Sequence, residues 1–250
     1  MKKNIFSPVV KHVLHTALAL ALLQLCLPAA LNAQEVKPAP ASRLPFPDND
    51  TQPSAMTTAV VGMCEYSVDG VTFSNLEKGH LFEQGAVVRA GPDARADIFF
   101  RRTGTTVRLQ AGTEIKLEKM VVTMRNGVAA VDTLLDLRAG IIFVVVRSEV
   151  AGSTLEIRNA AGRSVVEGSG IGRYIITADG THLVATGSAI PLKLIGENGI
   201  TVVAAGQQFD KKDGKALPAS PTTWVKGMIE LDELQAAVEV PAVKGPSLKP

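Results

Sequence analysis

Val87–Phe100 reads VVRAGPDARADIFF, and its pattern decides the fold class. A short apolar run ends on Arg89-Ala90-Gly91, and Gly91-Pro92-Asp93 supplies turn chemistry. Glycine frees the backbone, proline presets φ, and aspartate can bond its own backbone. An alternating run follows, with Ala94, Ala96, Ile98 and Phe100 on one face and Arg95 and Asp97 on the other. A period of two is the mark of a half-buried strand.

The same grammar recurs along the chain. Strands are expected at Val60–Tyr66, Val71–Asn75, Thr105–Leu109, Glu114–Glu118, Val121–Arg125, Val128–Val131 and Asp132–Leu137. Further candidates are Thr154–Arg158, Ser164–Glu167, Tyr174–Thr177, His182–Thr186, Leu192–Ile195, Ile200–Ala204 and, last, Gln207–Asp210. Asp69-Gly70, Asn126-Gly127, Asp179-Gly180 and Asn198-Gly199 are hairpin signals between them. Ile141–Val146 (IIFVVV) lacks alternation, which predicts a strand covered on both faces. More than a dozen short strands with such frequent turns imply an all-β fold. The expected architecture is antiparallel strands in a stacked sandwich or β-roll-like domain, with one C-terminal α-helix. Ser220 suits a helix cap and Pro221 the first helical position. Beyond them Trp224, Met228, Ile229, Leu231, Leu234 and Val238 recur on one side, with Trp224 expected to anchor the helix on the β domain or on a partner.

The ends read differently. Lys2, Lys3 and Lys11 precede an apolar run from His15 to Leu27, and Leu31-Asn32-Ala33 ends on a small residue. Residues 1–33 are therefore read as a signal peptide cleaved after Ala33. The apolar run is shorter than the roughly 20 residues that cross a bilayer. The alternative is an uncleaved anchor, the only route by which a membrane enters this reading. Residues 34–57, rich in proline, read as a linker. The β domain is placed at 58–217, the helix at 218–240 and a flexible tail at 241–250.

Composition narrows the function. The net charge of +2 falls to near −1 once the three lysines of 1–33 are removed, because that segment holds no acid. Nucleic-acid binding has no support in such a balance. Aromatics at 4% argue against an aromatic ligand groove. Beyond residue 33 Cys64 has no second cysteine to pair with, and a buried small side chain is its expected role.

Order and spacing of short elements resemble the FecR-type periplasmic domain family, from about Val60 to Asp213. The elements are Gln84–Gly91 followed by Ala94–Phe100, then Val107-Arg108-Leu109 and Thr113–Leu117. Leu135–Ile142 and Val202–Phe209, with its Ala205-Gly206-Gln207, complete the series. The chain departs from the family pattern at Val166–Ile176. There either Ser169 replaces a threonine, or Tyr174 and Ile176 fill the aromatic and aliphatic slots after an insertion. The resemblance implies an extracytoplasmic β domain. The best-known members pass a signal from an outer-membrane receptor to a sigma factor, using a cytoplasmic segment and a membrane helix. With only a short positive start before the apolar run, neither is expected here, and the fold and compartment rather than the sigma-factor role are carried over.

No motif for chemistry emerges. Gly168–Gly172 (GSGIG) precedes a strand-like Tyr174-Ile175-Ile176, so a phosphate-binding helix N-terminus is not expected. His80 and His182 sit in no ligand spacing and read as surface or turn residues. Ser164 or Ser169 with His182 could form a nucleophile and base only through the fold. Glu114 and Glu118 share a strand face and read as solvated. The expectation is an exported, non-enzymatic module without cofactor or metal, binding an envelope protein or glycan. A membrane-anchored signalling regulator and a hydrolase with an unrecognised site are the alternatives. The candidate contact surface is Arg95, Asp97, Arg101, Arg108 and Trp224.

Overall fold

The computed structural model describes residues 55–125, 128–148 and 152–239. The expected signal peptide, nearly all of the linker and the tail lie outside the described residues. Among the described residues eighteen strands and a helix follow in order. They begin with β1 (Ala55–Val61), β2 (Cys64–Ser67), β3 (Ser74–Asn75), β4 (Leu81–Phe82), β5 (Val87–Ala90) and β6 (Arg95–Phe100). Next are β7 (Thr105–Leu109), β8 (Glu114–Arg125), β9 (Val128–Ala139), β10 (Ile141–Ser148), β11 (Thr154–Asn159) and β12 (Gly162–Glu167). The series closes with β13 (Gly170–Thr177), β14 (Thr181–Val184), β15 (Leu192–Gly196), β16 (Gly199–Val203), β17 (Gln207–Asp210), β18 (Lys215–Pro218) and α1 (Pro221–Glu239).

The strands form two nine-stranded sheets. Sheet 1 has the order β18-β17-β14-β13-β10-β7-β6-β1-β4, and sheet 2 the order β16-β15-β12-β11-β9-β8-β5-β2-β3. The chain lays strands and hairpins alternately on the two sheets and advances along both. The fold is all-β with a C-terminal helix, as the strand and turn pattern implies. The pairing β9–β11 is parallel. Its cause is the path: β10 crosses to sheet 1, so β11 returns beside β9 in the same direction.

The opening segment is a corner between sheets rather than a hairpin, since β5 belongs to sheet 2 and β6 to sheet 1. Ala-Gly pairs mark further crossings: Ala111-Gly112 leads from β7 to β8, Ala139-Gly140 from β9 to β10, and Ala205-Gly206 from β16 to β17. Neighbouring corners bond to one another. Gly112 N donates to Gly91 O at 3.0 Å, Ala90 N to Thr113 O at 2.9 Å, and Ala178 N to Gly140 O at 2.9 Å.

One face of each sheet meets the other sheet in a common core. Ala96, Ile98 and Phe100 of β6 enter it beside Val107 and Leu109 of β7, with Ile115, Leu117, Leu135 and Leu155 from sheet 2. The apolar run of β10 is covered on both faces. Ile142, Val144 and Val146 point into the sandwich, whereas Phe143 and Val145 pack beneath α1 with Ile175, Leu183, Leu231 and Leu234. Trp224 and Met228 join that second cluster. Ile175→Val trims one methylene at this seam and is expected to cost about 0.5–1.5 kcal/mol, read as a shift in the denaturation midpoint.

Several expected boundaries move. β1 already starts at Ala55, inside the expected linker, because Ala55 and Thr57 are buried opposite Phe100 and Ile98. The expected strand Val60–Tyr66 is broken at Gly62, whose φ is 72°. Val71 and Thr72 leave the ladder because their amides bond the Asp69 carboxylate, each at 2.8 Å. Four expected strands between Glu114 and Leu137 merge into the twelve-residue partners β8 and β9, with a register shift between Leu117 and Lys119. Lys215–Pro218 pairs with β17 as an unanticipated strand, which carries the β domain to Pro218, past the expected segment boundary at 217, while the helix begins at Pro221, the expected first helical position. Ile229 is 54% exposed, off the packed side of α1.

Candidate functional site

The expected contact surface lies mostly on the outer face of sheet 1, and α1 covers it. Ile98 and Val107 face the core, so Asp97 and its cross-strand neighbour Arg108 point outward. Both are nonetheless buried, at 5% and 4% exposure. Arg108 Nε donates to Asp97 Oδ1 at 2.8 Å and Nη2 to Oδ2 at 2.9 Å. This two-pronged geometry is the strong form of an arginine–carboxylate pair. The third nitrogen, Nη1, donates to Glu230 Oε2 of α1 at 2.8 Å, with Glu233 Oε2 at 3.5 Å.

Gln110 Nε2 donates to Glu230 Oε2 at 3.4 Å, and Arg95 Nη1 lies 3.8 Å from the same oxygen. Glu230 and Glu233 are three residues apart and so share a helix face. Arg173 on β13 pairs with Asp232, and Trp224 Nε1 donates to Gln208 of β17. The Asp97 hydrogen bonds, followed by the Asp97 and Glu230 charges, raise the Arg108 pKa against the opposing effect of burial. A guanidinium so held keeps its proton. The cluster clamps the helix to the sheet through Asp97, Arg108 and Glu230.

The structure therefore unites Arg95, Asp97, Arg108 and Trp224 in the docking of α1, and corrects the reading of Asp97 and Arg108 as a solvent-facing surface. Arg101 lies apart and exposed in the turn 101–104. Glu230, Glu233, Arg173, Asp232 and Gln110 were missed in the sequence. Arg108 and Glu230 stand 122 positions apart. The available signal was an acidic pair placed beside the apolar Leu231 and Leu234.

His182 is a second correction: it is fully buried, not a surface residue. Its Nε2 meets Asn159 Nδ2 at 3.0 Å, its ring packs edge-on to Phe209, and Nδ1 has no hydrogen-bond partner. Burial pushes its pKa down from 6.5 to about 4, opposed by the nearby Gly180 backbone and the Asp179 charge. Folding therefore favours the neutral ring. That contribution is complete above pH 6.5 and is lost as pH falls toward 4. The loss is expected to approach about 3 kcal/mol, and His182→Leu should flatten this part of the stability profile in denaturant titrations run between those pH values.

The Ser164 hydroxyl is buried without a hydrogen bond, so it forms none with His182. Ser169 is exposed, just before β13. Gly168–Gly172 runs into that strand and not into a helix. Tyr174 and Ile176 enter the core, and Tyr174 donates to Ile190 O at 2.8 Å. His80 is half-buried against Tyr66, ring centroids 3.8 Å apart, and burial lowers its pKa. Cys64 is buried and donates to Arg95 O at 3.4 Å, and burial raises its pKa.

The outer face of sheet 2 is a lattice of opposite charges rather than isolated solvated carboxylates. Glu114 accepts from Arg89 at 2.7 Å and from Arg138 at 3.1 Å. Lys116–Glu118, Arg163–Glu156 and Lys193–Glu167 continue the lattice at 3.1 to 3.3 Å. Arg89 also stacks over Phe73, 3.6 Å from the ring centre. Among the described residues no three histidine, cysteine or acidic side chains are grouped to hold a metal ion. Among them no helix is long and apolar enough to cross a membrane.

No protein-family model and no curated protein sequence matches the chain.

Proposed function

We propose that this chain is an exported, non-enzymatic β module of the FecR type, serving as a binding or scaffolding element in the cell envelope. The observation that carries the reading is the destination of its chemistry-bearing side chains. Asp97 and Arg108 clamp α1, His182 is packed beside Phe209, and Cys64 is buried. Each such group is engaged in holding a stiff two-sheet body together. A body of this kind presents broad surfaces at fixed geometry, which suits recognition of a protein or glycan. The ordered motifs from Gln84 to Phe209 support the family reading, and the N-terminal signal pattern supports export.

Affinity capture from envelope fractions tests the module. A protein or glycan that is retained reproducibly, and lost when surface residues are changed, is the expected result. Its consistent absence sinks the reading. A mature N-terminus at Gln34, read by N-terminal sequencing, is expected for export with cleavage. An intact residue 1 would point to the anchored form.

A further inference from the structure

Among the described residues the four sheet edges are not alike. An edge strand offers unpaired backbone groups, and folded proteins blunt it by shortness, charge or proline. β3 and β4 are two residues each, and β18 carries Lys215 and Pro218. β16 has none of these devices. It is a five-residue edge strand, Gly-Ile-Thr-Val-Val, paired on one side with β15. The charge lattice of sheet 2 ends one strand earlier, at Lys193. Beyond it, Ile200 is 69% exposed and Val202 52%, on the outer face opposite Ile195 and Lys193.

We propose that β16 is a self-association edge, pairing antiparallel with β16 of a second copy about a two-fold axis at Thr201. This register sets Ile200 against the second copy's Val202 and Val202 against its Ile200. The strand holds no charge, so no like charges are opposed. Continuing the register sets Glu197 opposite Ala205, again without a clash of charge. Ile195, Ile200 and Val202 of both copies would then form one apolar strip across a continuous sheet. Self-pairing satisfies both edges at once, as an isologous interface requires. One strand of five residues contributes less area than a permanent dimer buries, so the association should be weak and depend on concentration.

Sedimentation velocity of the purified protein across a wide concentration range tests this directly. The weight-average mass should climb toward that of a dimer. Val202→Lys should hold it at the monomer mass with an unchanged far-ultraviolet circular dichroism spectrum. Paired antiparallel residues lie about 4.5–5.5 Å apart at Cα, within disulfide reach. Thr201→Cys, in a Cys26→Ser and Cys64→Ala background, should therefore form a covalent dimer on mild oxidation, whereas Leu217→Cys on β18 should not. A monomer at every concentration overturns the proposal and leaves the edge to a foreign strand. Equal dimerisation of Val202→Lys, or equal cross-linking at both cysteines, overturns it in favour of another interface.

Discussion

Replacing Arg108 with alanine is expected to destabilise the protein by about 3–5 kcal/mol, the usual cost of removing one partner from a buried ion pair. The side chain holds Asp97 by two hydrogen bonds and Glu230 of α1 by a third. Its loss leaves the Asp97 carboxylate buried beneath the helix without its counter-charge. The helix also loses its polar tie to β7. The sequence contains one tryptophan, Trp224, and it lies on α1. Trp224 fluorescence therefore reports undocking, while circular dichroism at strand wavelengths reports the sandwich. The fluorescence transition should move to lower denaturant with the β transition or ahead of it. Joint replacement of Arg108 and Asp97 by leucine or methionine should recover part of the loss, because no buried charge then remains unpaired. An Arg108→Ala midpoint within experimental error of the parent would show that the clamp contributes nothing.

Gly140→Ala is expected to cost about 2–5 kcal/mol, adding left-handed strain of about 1–2 to overpacking of about 1–3. Gly140 turns the chain from β9 to β10 with φ at 78°. A methyl group there would lie 2.6 Å from Thr113 Cα and 2.9 Å from Gly112 O, both backbone atoms. The neighbouring corner would have to move. Thr113 cannot yield freely, since its hydroxyl accepts from Ile141 N at 3.0 Å and donates to Ile141 O at 2.9 Å. Gly112→Ala is the matched control. It has a similar φ of 69° but nothing within 4 Å of the added methyl group. Only the strain should appear there, so equal losses at the two positions, measured by urea denaturation, would refute the steric part of the argument.

Much of the architecture was legible because strand patterning is local. Alternation at Ala94–Phe100, the unbroken run at Ile141–Val146 and the Ser220-Pro221 helix start each rest on a few neighbouring residues. Boundaries failed where a remote partner decided them. Ala55 and Thr57 read as linker until Phe100 and Ile98 stand opposite them, and Lys215–Pro218 becomes a strand only because β17 offers an edge. The contact surface was legible as a set of residues but not in its role. Arg95, Asp97 and Arg108 do share a face, as a period of two requires. What lies on that face is the chain's own helix.

The sequence by itself determined an all-β body, the direction in which most strand side chains point, and the positions of its corners. Period, turn chemistry and glycine placement act over short stretches and need no knowledge of the rest. Tertiary structure alone decided that the Gly91 turn joins two sheets, that Asp97 and Arg108 are buried, and that His182 is a core residue. Burial and charge pairing depend on what arrives from far along the chain, and Glu230 reaches Arg108 across 122 positions. No local pattern encodes that meeting.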